Sequence, residues 1–427
     1  MMPSKGKKQQ LPRDVLSNLP ENVIDDILMS LPLRDAARTS ILSKRWRYKW
    51  CRLPQLMLDD TVWGTTKDVV VYCRSNLTKI ISSILKLHSG PIKKFALCLP
   101  YFVSYPNIDN LICFLSKNNI HHLALEIPTY SPYKLPSSIF TCLQLRHLTL
   151  LRCLIHPPPV FKGFGRLISL ELCNVTISSE LLGSLISHCP LLENLVLKDL
   201  RNCNHIEINA PNLRSFFFEG NINVLHLKNV PLLSKVTYKP RTFSVEAEHD
   251  LTKIFESIPA LENLCWNLFT DVDNGIVEVI PTRLPSALNC LKRLRISWIT
   301  LRDFFELSFA LCLIRSSPNL EEIEIEVHGS SDEDYYDIPV PQDVVDKIPA
   351  SFSDMTFNHL RIVKINNIAG AGAEMQLIKV LLAKSPALVK MVIRPCEMEN
   401  KKSLRVLVEI TNFQRASSKA QVVYNID

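Results

Sequence analysis

His121 and His122, with His147 further on, are the side chains of this sequence that could form a metal group. Neighbouring side chains on a strand point to opposite faces, however, and no carboxylate or thiol recurs at ligand spacing, so neither a metal nor any other cofactor is expected. Ser187 and His188 set a nucleophile beside a base, but adjacency in the chain does not by itself bring the two together, and no catalytic pair is expected. Gly163-Phe164-Gly165 and Gly370-Ala371-Gly372 lack the third glycine or the Lys-Ser/Thr of a phosphate loop and read as turns. No paired-carboxylate constellation stands out, so the chain reads as non-catalytic. The acidic run Ser330-Ser331-Asp332-Glu333-Asp334-Tyr335-Tyr336-Asp337 reads as a solvated loop; a target-specific or phosphorylated insertion is the alternative.

The elements that must position these residues are bounded by composition. The chain has 427 residues, 47% hydrophobic and 21% charged, enough for a sizeable core and two or three structural units. No window is apolar enough for a bilayer span, and the start, Met1-Met2-Pro3-Ser4-Lys5-Gly6-Lys7-Lys8, lacks an apolar signal core, so a soluble, unexported chain with no membrane partner is expected. Thirteen cysteines lie scattered from Cys51 to Cys396 without a C-x-x-C pair, as in reduced, buried thiols of the nucleus or cytoplasm. Of the net charge of +7, most sits in residues 1–50, which hold ten Lys or Arg against five Asp or Glu. No aromatic residues alternate with that excess and no DNA-reading motif follows, so no nucleic-acid partner is expected. Lys5, Lys7 and Lys8 read as a solvated, disordered arm over residues 1–11, with a nuclear signal as the alternative.

A short helical block occupies residues 12–55. Pro20 suits a helix start, because the amide hydrogen it lacks would have no partner there, and Glu21 suits the dipole. Ile24, Ile27, Leu28 and Leu31 then fall at i, i+3, i+4 and i+7, one apolar stripe, and Pro32 stops that helix. A second helix is expected from about Leu33 through Leu42, and Ser43 is expected to cap a third that carries Trp46 and Trp50. Three short helices bury too little surface to stand comfortably alone. From the residues alone the block is either a cap on the neighbouring domain or a plug for a partner.

Leu19-Pro20-Glu21, Ile27-Leu28, Leu31-Pro32, Asp35-Ala36-Ala37-Arg38-Thr39-Ser40, Leu42-Ser43-Lys44-Arg45-Trp46-Arg47 and Trp50, in this order and spacing, resemble the F-box of plant F-box proteins. The resemblance implies docking on a Skp-type adaptor and through it a cullin, with Leu19, Pro20, Ile24, Ile27, Leu28, Leu31, Pro32, Leu42, Ser43 and Trp46 as the adaptor-binding residues.

After a linker and first repeat entry over residues 56–90, segments of the form L-x-x-L-x-L recur across residues 91–350 and beyond, starting at Ile92, Ile120, Leu145, Leu167, Leu192, Leu213, Leu233, Leu261, Leu291, Leu320, Leu360 and Leu388. Steps between 20 and 25 residues lie in the leucine-rich-repeat range; later steps of 28 to 40 imply irregular or inserted repeats. One such unit buries too few side chains to offset the entropy of ordering it, so the units must stack, as a curved solenoid of parallel strands. An enclosed α/β enzyme would need Gly-rich turns between continuous apolar strands, and Gly totals only 11.

The last region, residues 351–427, resembles the FBD domain that comes after such repeats in many plant F-box proteins, on Leu360-Arg361-Ile362-Val363-Lys364-Ile365, Glu374 to Leu382, Ser385-Pro386-Ala387-Leu388 and Phe413-Gln414-Arg415-Ala416-Ser417-Ser418. The family's usual opening is altered here to Ile348-Pro349-Ala350-Ser351-Phe352. A strand, helix, strand, helix and final strand are expected to cap the solenoid. The fold class is thus α/β: an N-terminal three-helix F-box, a solenoid of parallel strands and a C-terminal cap.

In L-x-x-L-x-L the leucines point inward and the intervening side chains line the concave face. His122, His147, Asn194, Lys235, Arg293, Arg295, Glu322 and Glu324 are therefore the candidate residues for binding an unknown target protein. Arg293 and Arg295, then Glu322, Glu324 and Glu326, then Lys364 read as a cross-strand charge ladder, with a recognition patch as the alternative. The resemblance implies the substrate-recognition subunit of a Skp-cullin-F-box ubiquitin ligase. A small-molecule-dependent F-box receptor and an F-box protein acting outside ubiquitination are the alternatives; the former carries a basic floor for which no comparable Lys/Arg cluster is visible along the chain.

Overall fold

A computed structural model describes residues 16–63, 74–99, 108–128, 131–222, 224–241, 251–268, 281–328 and 342–425. The basic arm at 1–11 and the acidic run at 330–337 lie outside them. The chain divides into two compact units, Met1–Leu154 and Ile155–Asp427, a seam inside the run of repeats.

The first unit opens with the helical block. A helix over Glu21–Ser30 begins behind Pro20, whose carbonyl accepts the Val23 and Ile24 amides at 3.1 Å, and Pro32 precedes the next helix, Leu33–Arg38. The expected third helix does not form. Residues 44–48 turn, Tyr48 takes a left-handed φ of 60°, and a 3-10 helix over Lys49–Arg52 comes next. A left-handed residue cannot continue a right-handed helix. Ser43 does not cap either; its buried hydroxyl has no partner among the described residues.

Strands β1 (Gln55–Leu58), β2 (Lys94–Cys98), β3 (His122–Glu126), β4 (Tyr133–Lys134), β5 (His147–Leu151) and β6 (Cys153–Leu154) complete this unit. The order β1-β2-β3-β5 is parallel throughout, and β4 pairs with β6.

The second unit holds β7 (Ser169–Cys173), β8 (Asn194–Lys198), β9 (His205–Asn209), β10 (Ser215–Gly220), β11 (Val224–Lys228), β12 (Lys235–Pro240), β13 (Asn263–Asn267), β14 (Arg293–Ile299), β15 (Glu322–Val327), β16 (Ile362–Ile368), β17 (Lys390–Pro395) and β18 (Gln421–Tyr424). All but β9 and β11 pair in chain order, every pair parallel. No break separates the repeats from the cap region, since β15 pairs directly with β16.

In both units the inward positions of each L-x-x-L-x-L segment, from Ile92 to Ile393, are at most 3% exposed. Turn chemistry fixes where each strand begins. In Cys189-Pro190-Leu191-Leu192, Ala210-Pro211-Asn212-Leu213, Val230-Pro231-Leu232-Leu233, Ile258-Pro259-Ala260-Leu261, Ser317-Pro318-Asn319-Leu320 and Ser385-Pro386-Ala387-Leu388, the last amide donates to the first carbonyl. Proline presets the backbone at the second position of such a turn. The next two amides then share one carbonyl of the preceding strand start, as Arg214 and Ser215 do on Glu193.

The return segments explain the uneven steps. Leu192 to Leu213 and Leu213 to Leu233, 21 and 20 residues, return through β9 and β11, which pair with each other. Leu291 to Leu320 and Leu360 to Leu388, 29 and 28 residues, return through helices Phe304–Arg315 and Gly372–Lys384. A helix rises about 1.5 Å per residue against roughly 3.3 Å for a strand, so it needs more residues to cover the same distance. The 40-residue step from Leu320 to Leu360 holds the helix Gln342–Ser351, which packs on both of those return helices. Among the described residues no helix is long and apolar enough to cross a membrane.

Candidate functional site

The helical block is the first candidate. Ile24, Leu28 and Trp46 are buried, at 0%, 0% and 2% exposure, so they hold the block together and are not open to a partner as the chain stands. Leu19, Ile27, Leu31 and Ser43 are half-buried, and Pro20, Pro32 and Leu42 are exposed. Sequence reasoning missed Ile41, at 88% the most exposed large apolar side chain among the described residues of the block; Tyr48 and Leu16 are exposed as well. The stripe at helical spacing located the core-facing side of the helix, while Ile41 sits in a 3-10 turn, Thr39–Ile41, that no periodicity marks. Arg45 donates to Glu21 Oε1 at 3.2 Å through both Nε and Nη2, and Lys49 bonds Glu21 Oε2. The bonds from Lys49 and Arg45 hold the Glu21 carboxyl below its ordinary range.

The open sheet face is the second candidate, and its eight expected residues fall in both units. In the first, His122 and His147 pair laterally and their rings stack, centroids 4.3 Å apart and 5° from parallel. Burial lowers both imidazoles, and neighbouring positive groups lower them further.

In the second unit strand register sets Asn194, Ser215, Lys235, Asn263, Arg293 and Glu322 side by side in one row. The next row holds Val196, Phe217, Thr237, Cys265, Arg295, Glu324 and Lys364. The charge ladder is present. Arg293 lies 3.7 Å from Glu322, Arg295 3.8 Å from Glu324 and 3.3 Å from Glu326, and Lys364 2.6 Å from Glu322. Exposed pairs of this kind contribute about 0.2–1 kcal/mol each, so the ladder shapes the surface more than it stabilises the sheet. Three residues that the sequence did not single out extend it: Ser297 accepts from Arg295 at 3.2 Å, Asn366 donates to Glu324 at 3.4 Å, and Arg394 donates to Asn366 at 3.1 Å. Lateral register was the missing signal, because it is set by strand starts far apart in the chain.

A shallow groove crosses this face over Thr237, Cys265, Arg295 and Glu324. Burial pushes the Cys265 thiol up, which keeps it protonated and unreactive. Beside the groove the Lys198 and Lys239 ammonium groups lie 5.0 and 5.7 Å from the Phe217 ring centre. Such a mixed face, with charges already paired among themselves, suits recognition of a surface more than chemistry on a small substrate.

The Ser187 and His188 side chains lie together, with Oγ and Nδ1 3.4 Å apart. Both are engaged by the Ser184 carbonyl, at 3.0 and 2.7 Å. Gly163 is a turn residue held at φ 88°, where a Cβ would stand 2.1 Å from the His188 carbonyl oxygen. Among the described residues no group of three or more His, Cys, Asp or Glu is placed to hold a metal ion.

Comparison with known proteins matches residues 16–56 to the F-box domain family and residues 108–325 to the leucine-rich repeats described as "FBD-associated F-box protein At5g56370, LRR repeats". The F-box/FBD/LRR-repeat protein At1g13570 of Arabidopsis thaliana is 32% identical over 417 residues, covering 96% of this chain and 98% of that one. The F-box/LRR-repeat protein At4g14103 of the same plant is 30% identical over 191 residues, 44% of this chain and 50% of that one.

Proposed function

The chain belongs to the F-box/FBD/leucine-rich-repeat family, and from that premise we propose that it is the substrate-recognition subunit of a Skp-cullin-F-box ubiquitin ligase. An F-box with leucine-rich repeats implies a substrate-adaptor role. The observation that carries the finer reading is the apolar rim of the helical block. Ile41 and Leu42 stand 88% and 51% exposed, while the core beneath them, Ile24, Leu28 and Trp46, is already closed. Exposed apolar side chains next to one another on a small, marginal block suit a protein partner, here a Skp-type adaptor. The open face of the repeats then holds the target, and tethering raises the effective concentration of the target's lysines at the ligase. No catalytic side chain is required for that role.

Co-expression of the full chain with a Skp-type adaptor tests the reading. We expect the wild type to co-purify with it and Ile41→Asp/Leu42→Asp to lose at least tenfold in affinity with an unchanged circular dichroism spectrum. Retained binding in that variant would place the adaptor elsewhere.

A further inference from the structure

One cavity in the first unit is lined by cations. Lys44, Arg45, Arg47, Lys49 and Arg52 line a surface pocket of about 500 Å³, together with Leu87, the last residue of helix Arg74–Leu87, and Ser89. Pockets for small ligands span roughly 300–1,000 Å³. Glu21 engages Arg45 and Lys49. Lys44, Arg47 and Arg52 are exposed and face no carboxylate among the described residues.

The backbone gathers these charges at a cost. An unbroken helix turns about 100° per residue and would aim Arg47 and Lys49 to opposite sides. Instead the turns of residues 44–48 and the left-handed Tyr48, at φ 60°, bend the chain so that both line the same cavity. A bulky residue in that region is disfavoured and persists only where its surroundings impose it. Like charges brought together also repel one another, which favours an anion among them.

We propose that this cavity binds a compact anion carrying several phosphate groups. Three of the five cations are guanidiniums, whose planar forks match phosphate oxygens in pairs. A phosphate monoester brings about −1.5 to −2 charges and a bridging phosphate about −1, so two or three together offset most of the cluster where a single carboxylate does not. The pocket adjoins the exposed apolar side chains of the block, since Tyr48 lines it, but its cations do not depend on the ligase reading.

The test is calorimetric titration of the purified full-length chain with inorganic tripolyphosphate, against orthophosphate and a glutamate pentapeptide as controls. Tripolyphosphate is expected to bind at least tenfold tighter than either control, and Arg47→Ala/Arg52→Ala to weaken it at least tenfold. Both side chains are exposed, so the fold is expected to survive; Lys44→Ala, with a threefold or greater loss, gives a second reading at one exposed position. The proposal is overturned if tripolyphosphate binds no tighter than orthophosphate, if the glutamate peptide matches it, or if the variants bind as the wild type does.

Discussion

The indole Nε1 of Trp46 donates to the Leu16 carbonyl oxygen at 3.2 Å, so the end of the helical block is fastened to its beginning. Trp46 is also among the most completely buried large side chains of the chain. Its role and that of Ile41 are therefore separable by experiment.

Trp46→Ala removes that bond and opens a cavity, a change that costs about 3–5 kcal/mol at such sites. A block this small cannot absorb such a loss. Hydrogen exchange should show amides of residues 21–52 losing protection while β7 to β18 keep theirs, and adaptor binding should disappear with the protection. Ile41→Asp should abolish binding without raising exchange. If Trp46→Ala leaves exchange unchanged, the tie between Trp46 and Leu16 does not hold the block.

Glu374 is buried, and its Oε2 accepts the amides of Ala369, Gly370 and Ala371 at 3.0, 2.7 and 2.9 Å. Burial pushes its carboxyl up, while the three amides oppose that shift. Glu374→Ala strands those donors, and roughly 3 kcal/mol should be lost, since each buried unsatisfied group costs about 1–3 kcal/mol. Glu374→Gln keeps an acceptor and should lose less than half as much. Urea unfolding of the two variants decides it; equal midpoints would mean that the amides find other partners.

The stacked imidazoles of His122 and His147 predict a pH response in the first unit. Their folded pKa values lie below the unfolded ones, so the unfolded chain binds more protons in the window between. Stability should be intact above the unfolded value, near 6.5, and fall as pH drops through it, with the full penalty reached below the folded values. Denaturation midpoints at pH 5 and pH 7.5 should therefore differ more for the wild type than for His122→Gln/His147→Gln. Equal differences would remove the pair as the cause.

Much of this architecture is readable from the amino acids because it is local. Leu192, Leu195 and Leu197 announce a strand with one buried side, and Pro190 announces the turn before it. The expected strand, helix, strand, helix, strand order after residue 357 is also what the chain forms. The features that escape depend on contacts between distant residues or on uncommon backbone. Periodicity picks out Ile24 and Leu28 correctly as one stripe, but a stripe marks whatever the helix buries, and here it buries them in its own block. The run from Ser43 to Trp50 reads as helical because nothing in it announces the left-handed turn at Tyr48. The Lys/Arg cluster is hidden in the sequence because Arg47 and Lys49 converge only through that turn. Nor does a lone Glu374 signal three amides in need of an acceptor, since these come from the irregular turn between β16 and the helix Gly372–Lys384.

The two kinds of return segment separate what is fixed in each repeat from what is free. The proline turn and the shared carbonyl dictate where a strand starts, whereas the path back is a short strand in one place and a long helix in another. Insertions and deletions on the return side thus leave neighbouring strands in step. Lineages can lengthen, thicken or exchange these loops without redrawing the surface on the opposite side. Divergence in bulk and divergence in recognition can proceed as independent histories within one array.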